Sequence, residues 1–150
     1  MRPAFFLSNV MSKPICLPDG IIISSSTNYL ADVDSYLEEK LSREGIDESI
    51  ITDLAISVSE LVNNAIVHGN GSDASKEVEI RFFITDTEIK ISVRDQGEGF
   101  NLDELPDPID DDNLLCEVGR GLFIVRNFVD DVNVSRLPSG GTRVEIVKNL

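Results

Sequence analysis

The chain of 150 residues carries 27 acidic and 13 basic side chains, a formal net charge of -14, and is 41% hydrophobic. That size and composition suit one globular domain with a substantial core, while the charge opposes direct binding to nucleic acid or an anionic membrane, where phosphate contacts need clustered Lys and Arg. A small phosphate ligand stays open, because it needs only a local set of donors.

The first stretch, MRPAFFLSNVMSKP, has one Arg and a very short apolar run, so residues 1–20 read as an irregular N-terminal extension rather than a signal peptide. Residues 21–150 then form a single domain, and a cytoplasmic protein is expected. Residues 21–25, IIISS, suit a short strand. Thr27 or Asn28 can cap a helix to about Glu44, with Tyr29, Leu30, Val33, Tyr36, Leu37 and Leu41 at helical spacing. Gly45 ends it. Asp47 can cap the next helix, which runs to about Gly69 and stops in Gly-Asn-Gly. Its apolar stripe is Ile51, Leu54, Val58, Leu61 and Ala65. No run of 18 apolar residues occurs, so no membrane span is expected.

The period then changes from helical to alternating. Residues 78–84, VEIRFFI, and 88–94, EIKISVR, flank a hairpin loop of Thr85, Asp86 and Thr87. Residues 132–137, VNVSRL, and 142–148, TRVEIVK, repeat the pattern around Pro138-Ser139-Gly140-Gly141. Alternation implies a sheet with one buried face, and the helices should cover it. The fold class is therefore α+β, a two-layer sandwich with a mixed, mostly antiparallel sheet covered on one face by helices. Between the hairpins lie DQGEGF, an acidic segment DELPDPIDDD at 103–112, and GRG before a short helix from Leu122 to about Phe128. The one histidine, His68, and two cysteines, Cys16 and Cys116, leave little for a structural zinc site, and the thiols read as free.

Three stretches could carry chemistry. In ELVNNAIVH, at 100° per residue, Glu60, Asn63, Asn64 and His68 share one helix face. A carboxylate and an amide oxygen one turn apart can hold a divalent cation and orient a nucleophile, but the same spacing also describes an ordinary solvated face. In DQGEGF, Asp95 at a strand end can accept a hydrogen bond from an exocyclic amine, and the glycines admit a flat ligand; an Asp-Gly turn reads the same way. Gly119-Arg120-Gly121 at a helix start offers amides and a cation to a phosphate, or is simply a glycine cap.

Taken in order, ELVNNAIVH, DQGEGF and GRGLFIVRNFVDDV resemble the N box, G1 box and G2 box of the Bergerat-fold (GHKL) ATPases, and GTRVEIV resembles that family's closing Gly-Thr strand. The likeness covers about residues 20–148. It is nearest to the stand-alone bacterial serine/threonine kinases that act as anti-sigma factors in partner-switching systems. The resemblance implies ATP and Mg2+ as cofactors, with Asn64 as the metal ligand and Glu60 as the general base or orienting group. It implies that Asp95 bonds the adenine amino group, with Gly97 and Gly99 giving the base room. Gly119 and Gly121 would wrap the phosphates with Arg120 beside them, Leu122 would complete the cofactor set, and Thr142 would support the adenine site. Asn63 reads as a phosphate-side contact and His68 as a supporting or helix-packing residue.

The implied partner is a protein, an antagonist carrying a phosphorylatable Ser or Thr, or a sigma factor, with no direct nucleic acid and no membrane. A homodimer is compatible with the resemblance, although no apolar patch in the sequence marks one. Sensor histidine kinases need a separate phospho-accepting His, and His68 lies inside the N box. Kinases of the partner-switching kind commonly carry an Arg within the first helix. Here residues 27–42 contain none and Arg43 stands at the helix end. The alternative reading is a nucleotide-responsive protein-binding module without phosphotransfer.

Overall fold

The computed structural model describes residues 13–97 and 117–150. Gly99, the acidic segment at 103–112 and Cys116 lie outside the described residues. A three-residue strand β1 (Ile15–Leu17) turns into β2 (Gly20–Ser24), followed by a 3-10 turn (Thr27–Tyr29), α1 (Leu30–Arg43) and α2 (Glu48–Asn64). A π-helical turn (Ala65–Gly69) extends α2, then come β3 (Glu77–Ile84), β4 (Glu88–Arg94), α3 (Glu117–Arg126), β5 (Asp131–Arg136) and β6 (Thr142–Asn149). The described strands form one six-stranded sheet in the order β1-β2-β3-β4-β6-β5, with every neighbouring pair antiparallel.

Strand alternation does what the sequence pattern requires. Val78, Ile80 and Phe82 of β3, Ile89, Ile91 and Val93 of β4, and Val144 and Ile146 of β6 face inward and are buried. Val33, Leu37 and Leu41 of α1 and the complete stripe expected on α2 close over them. Burying side chains of this kind contributes roughly 1.5–3 kcal/mol each. The stretch Glu48–Gly69 is also long and apolar enough, by length and composition, to cross a membrane. Ile51, Leu54, Val58, Leu61, Val62, Ala65 and Ile66 of this stretch are buried in the core, Ile56 is exposed, and Asp53 and Glu60 interrupt it.

The helix ends show local chemistry. Ser26, not Thr27 or Asn28, is the capping residue at the start of the first helical segment; its hydroxyl accepts the Asn28 N–H at 3.2 Å. At the end of α1, Gly45 N–H bonds Ser42 O at 3.1 Å and Ile46 N–H bonds Leu41 O at 3.1 Å, a Schellman closure with Gly45 at φ 73°. Asp47 occupies the cap position of α2, yet its carboxylate accepts the Ser49 hydroxyl instead of a backbone amide. Strand β1 falls inside the stretch read as an irregular extension. It pairs through only three residues, Ile15 to Leu17, against Ile22 to Gly20, too short a run to show an alternating pattern. Lys148 of β6 ties the layers together, bonding Phe128 O at 2.7 Å and Asp53 Oδ2 at 3.3 Å.

Candidate functional site

Asp95 is the first residue beyond β4, and the β4–β6 pairing delivers it beside Thr142. Its N–H bonds Thr142 O at 2.9 Å, and its Oδ1 accepts Thr142 N–H at 3.1 Å and Gly97 N–H at 2.9 Å. The residue is 4% exposed. Burial therefore pushes the carboxyl above its ordinary value, against the pull of those two amides and of Lys76. A desolvated carboxylate with directed lone pairs discriminates strongly between donors and acceptors in whatever is presented to it.

Thr142 completes this corner. It is 1% exposed, and its hydroxyl is the one buried side-chain polar atom among the described residues without a hydrogen-bond partner. Such an orphan costs about 1–3 kcal/mol. It stands next to a desolvated carboxylate, where a polar group could give it a partner. Gly97 is required here because a methyl group on it would overlap the Gly69 carbonyl, so the loop after β4 lies directly on the turn that ends the α2 segment.

The opposite wall is α2. A β-carbon built on Gly121 of α3 would sit 2.7 Å from Asn64 Nδ2 and 3.3 Å from Glu60 Oε2. One turn of α2 thus presents an amide and a carboxylate to the same point on α3. Asn64 is buried, whereas Glu60 and Asn63 are half-buried and His68 is exposed. Of the four, Glu60 and Asn64 are the two brought to Gly121. The π-helical turn from Ala65 to Gly69, closed by Asn70 N–H to Ala65 O at 2.8 Å, departs from the 100° spacing assumed for an α-helix and places His68 at the surface.

Gly119, Arg120 and Gly121 do not precede a helix that starts at Leu122. They lie within α3, which runs from Glu117 to Arg126. The helix therefore starts earlier and ends earlier than expected, Asn127 and Phe128 being held by turn hydrogen bonds to Ile124 O and Val125 O. Gly119 is buried and Arg120 half-buried in the first turn described for α3, while Gly121 contributes mainly by its missing side chain. Leu122 is buried and joins Leu61, Asn64, Ala65, Val93, Asp95 and Val144 around a cavity of about 10 Å3. That is room for about one water molecule.

The donor set fits a purine nucleotide: a buried acceptor and an orphan hydroxyl at one end, an amide and a carboxylate at the other. A magnesium ion bound mainly through phosphate oxygens and water needs few protein ligands, and Asn64 offers one. A larger groove of about 420 Å3 runs between β1 and α1, lined by Cys16, Tyr36, Lys40 and Arg43 among others. It contains none of the motif residues, and its Tyr36 hydroxyl and Lys40 amine already bond Leu17 O and Pro18 O. Sequence reasoning missed Gly69 and Asn70. Both stand in Gly-Asn-Gly, whose only visible signal was that of a helix stop.

Residues 23–148 match the family described as the histidine kinase-like ATPase domain. The anti-sigma F factor of Oceanobacillus iheyensis is 36% identical over 102 residues, covering 67% of this chain and 70% of that protein. The anti-sigma F factor of Bacillus thuringiensis is 34% identical over 124 residues, covering 81% and 77%. The solved RsbU and RsbW domains of a Mycobacterium tuberculosis protein superpose with a TM-score of 0.63 at 22% identity, over 91% of this chain and 32% of that one, a likeness of fold.

Proposed function

The chain belongs to the histidine kinase-like ATPase domain family, and on that premise we propose that it is an Mg-ATP-dependent serine/threonine protein kinase acting as an anti-sigma regulator by partner switching. The observation that carries the reading is the approach of Glu60 and Asn64 to Gly121, which joins the N-box helix to the glycine-containing helix start. The anti-sigma F factors of Oceanobacillus iheyensis and Bacillus thuringiensis supply the regulatory context.

The chemistry follows from positions. Asp95 accepts the exocyclic amine of adenine, and the Thr142 hydroxyl gains the partner it lacks. The Asn64 side-chain oxygen would hold the metal, which would neutralise phosphate charge, and Gly119 and Arg120 at the N-terminal end of α3 would lie on the phosphate side. Bound Mg-ATP supplies the γ-phosphoryl group. Glu60 takes the proton from a partner's Ser or Thr hydroxyl as its oxygen bonds the phosphorus; the bond to the leaving oxygen breaks and ADP departs. Positioning and charge neutralisation supply most of the rate in such transfers, so the buried, pre-bonded Asp95 corner matters as much as the base.

The test is transfer of labelled phosphate from Mg-ATP to candidate antagonist proteins that carry a phosphorylatable Ser. Transfer that disappears in Glu60→Ala and Asn64→Ala supports the assignment; transfer unchanged in both overturns it. A second reading, a nucleotide-responsive binding module, is favoured by one observation. The only arginine of α1, Arg43, lies at its last turn and pairs with Glu39. That reading expects nucleotide-dependent partner affinity with no phosphorylated product.

A further inference from the structure

Asn70 follows the π-helical turn, is 3% exposed and uses both side-chain donors and its side-chain oxygen. Its Nδ2 donates to Ser25 Oγ at 2.7 Å and to Glu77 O at 3.0 Å. Its Oδ1 accepts Gln96 N–H at 2.7 Å, and its own N–H bonds Ala65 O at 2.8 Å. One residue thus joins the chain after β2, the start of β3 and the loop after β4 through its side chain, and the end of the α2 segment through its backbone N–H. Gln96 is the residue between Asp95 and Gly97, and its side chain makes a second tie, accepting Glu77 N–H at 2.6 Å.

We propose that Asn70 is a positioning residue for base recognition: by holding Gln96 N–H it fixes the Asp95 carboxylate relative to Asn64 and Glu60, and so sets both ATP affinity and the preference for ATP over GTP. The proposal rests on the ATP reading above. A buried carboxylate oxygen suits the amino group of adenine and repels the carbonyl that guanine carries at the same position. Discrimination of this kind depends on the acceptor having no alternative direction to face. Only Oδ1 of Asp95 is bonded to the amides of Gly97 and Thr142. The angle of the other oxygen is therefore set by the backbone at 95–97, which Asn70 anchors from one side. The π-helical turn has the same effect: widened turns of this type recur at functional sites, and this one brings Asn70 N–H to Ala65 O, one residue beyond Asn64.

A purely structural role would also make Asn70 costly to remove, since deleting it strands several buried groups. Ser25→Ala separates the two. It deletes one Asn70 partner that makes no hydrogen bond to residues 95–97, and also the Ser25 Oγ bond to Lys76 O at 2.8 Å, so it perturbs the same network without removing a bond to the Asp95 loop. The measurements are Mg-ATP and Mg-GTP dissociation constants by calorimetry and hydrogen exchange at Gln96 N–H without nucleotide. All are made at a temperature where melting curves show each protein folded. Asn70→Ala is expected to weaken ATP binding by about tenfold, to narrow the ATP preference by a similar factor and to speed Gln96 exchange, while Ser25→Ala stays within about twofold of wild type. Asn70→Asp keeps the acceptor for Gln96 N–H, so it is expected to retain the ATP preference, and it carries the test should the Ala variant not fold. A wild-type ATP affinity and preference in Asn70→Ala, an equal loss in Ser25→Ala, or a lost preference in Asn70→Asp overturns the proposal alone. A wild type that binds neither nucleotide overturns the ATP reading and this one with it.

Discussion

Thr142 and Asp95 are bonded to each other twice, once between backbone groups and once through the carboxylate, yet the Thr142 hydroxyl beside them has no partner. Asp95 N–H meets Thr142 O at 2.9 Å, Thr142 N–H meets Asp95 Oδ1 at 3.1 Å, and Thr142 Oγ1 is buried alone. The pair is rigid where it supports the sheet and unsatisfied where a ligand would sit. Replacing Thr142 by Val removes the orphan hydroxyl at nearly constant shape. Thr142→Val is expected to raise stability by about 1 kcal/mol and to weaken ATP binding. Urea unfolding and calorimetry on the same samples check it; loss of stability without loss of affinity would count against a ligand-facing hydroxyl.

Asp95 contributes a pH dependence with a definite sign. Its folded-state pKa is raised by burial, so the folded chain holds that proton more tightly than the unfolded chain. The stabilisation is fully present below the unfolded value of about 3.9 and is lost as pH rises through the folded value. Asp95→Asn removes this loss. Melting temperatures of the two proteins should favour the variant at pH 7–8, with the gap closing toward about pH 4. Its ATP affinity should fall at least about tenfold, because an amide donor would face the adenine amino group. A variant less stable than wild type at neutral pH would mean that the carboxylate stabilises the fold.

The fold and the site were legible in the sequence to different depths. The stripe of α2 and the alternation of β3, β4 and β6 were readable because each buries one face, and one-sided burial leaves a period. The three residues of β1 are too few to show one. Motif order pointed to Glu60, Asn64, Asp95, Gly97, Gly121 and Thr142; in the structure Glu60 and Asn64 approach Gly121, Asn64 and Asp95 line one small cavity, and Asp95 bonds Gly97 and Thr142. Motif order could not show that His68 is exposed, because the π-helical turn is fixed by tertiary hydrogen bonds. Ser72 N–H bonds Ile66 O at 2.7 Å, and Asn70 bonds residues 45 and 26 positions away. Such separations leave no local pattern to read. The early start of α3 was hidden by the glycines, which read as a loop before a helix and prove to lie within one.

Gly121 should tolerate a methyl group only at the expense of the site. Ala at this position lies in a helix, where it is favoured over Gly by about 1 kcal/mol. Its β-carbon would sit 2.7 Å from Asn64 Nδ2, the end of a side chain that can swing away. Gly121→Ala should therefore fold with undiminished melting temperature and bind Mg-ATP about tenfold more weakly. Unchanged affinity would show that the helix start does not need to approach Asn64.

Leu54 tests the layer that carries Glu60 and Asn64. It is fully buried in the stripe of α2 against the sheet. Leu54→Ala should cost about 2–5 kcal/mol of unfolding free energy, the usual range for a cavity of this kind. Denaturant titration gives the value, and a loss below about 1 kcal/mol would mean that the α2–sheet contact adds little to stability.

The most direct test of the ATP site is calorimetric titration of the full chain with ATP, with and without Mg2+, in wild type and Asn64→Ala. The wild type should bind ATP at least about tenfold more tightly with Mg2+ than without it, and Asn64→Ala should keep the weaker, metal-independent affinity. No binding of ATP under either condition, or a metal dependence that survives in Asn64→Ala, would contradict the assignment of Asn64 and the nucleotide site built around it.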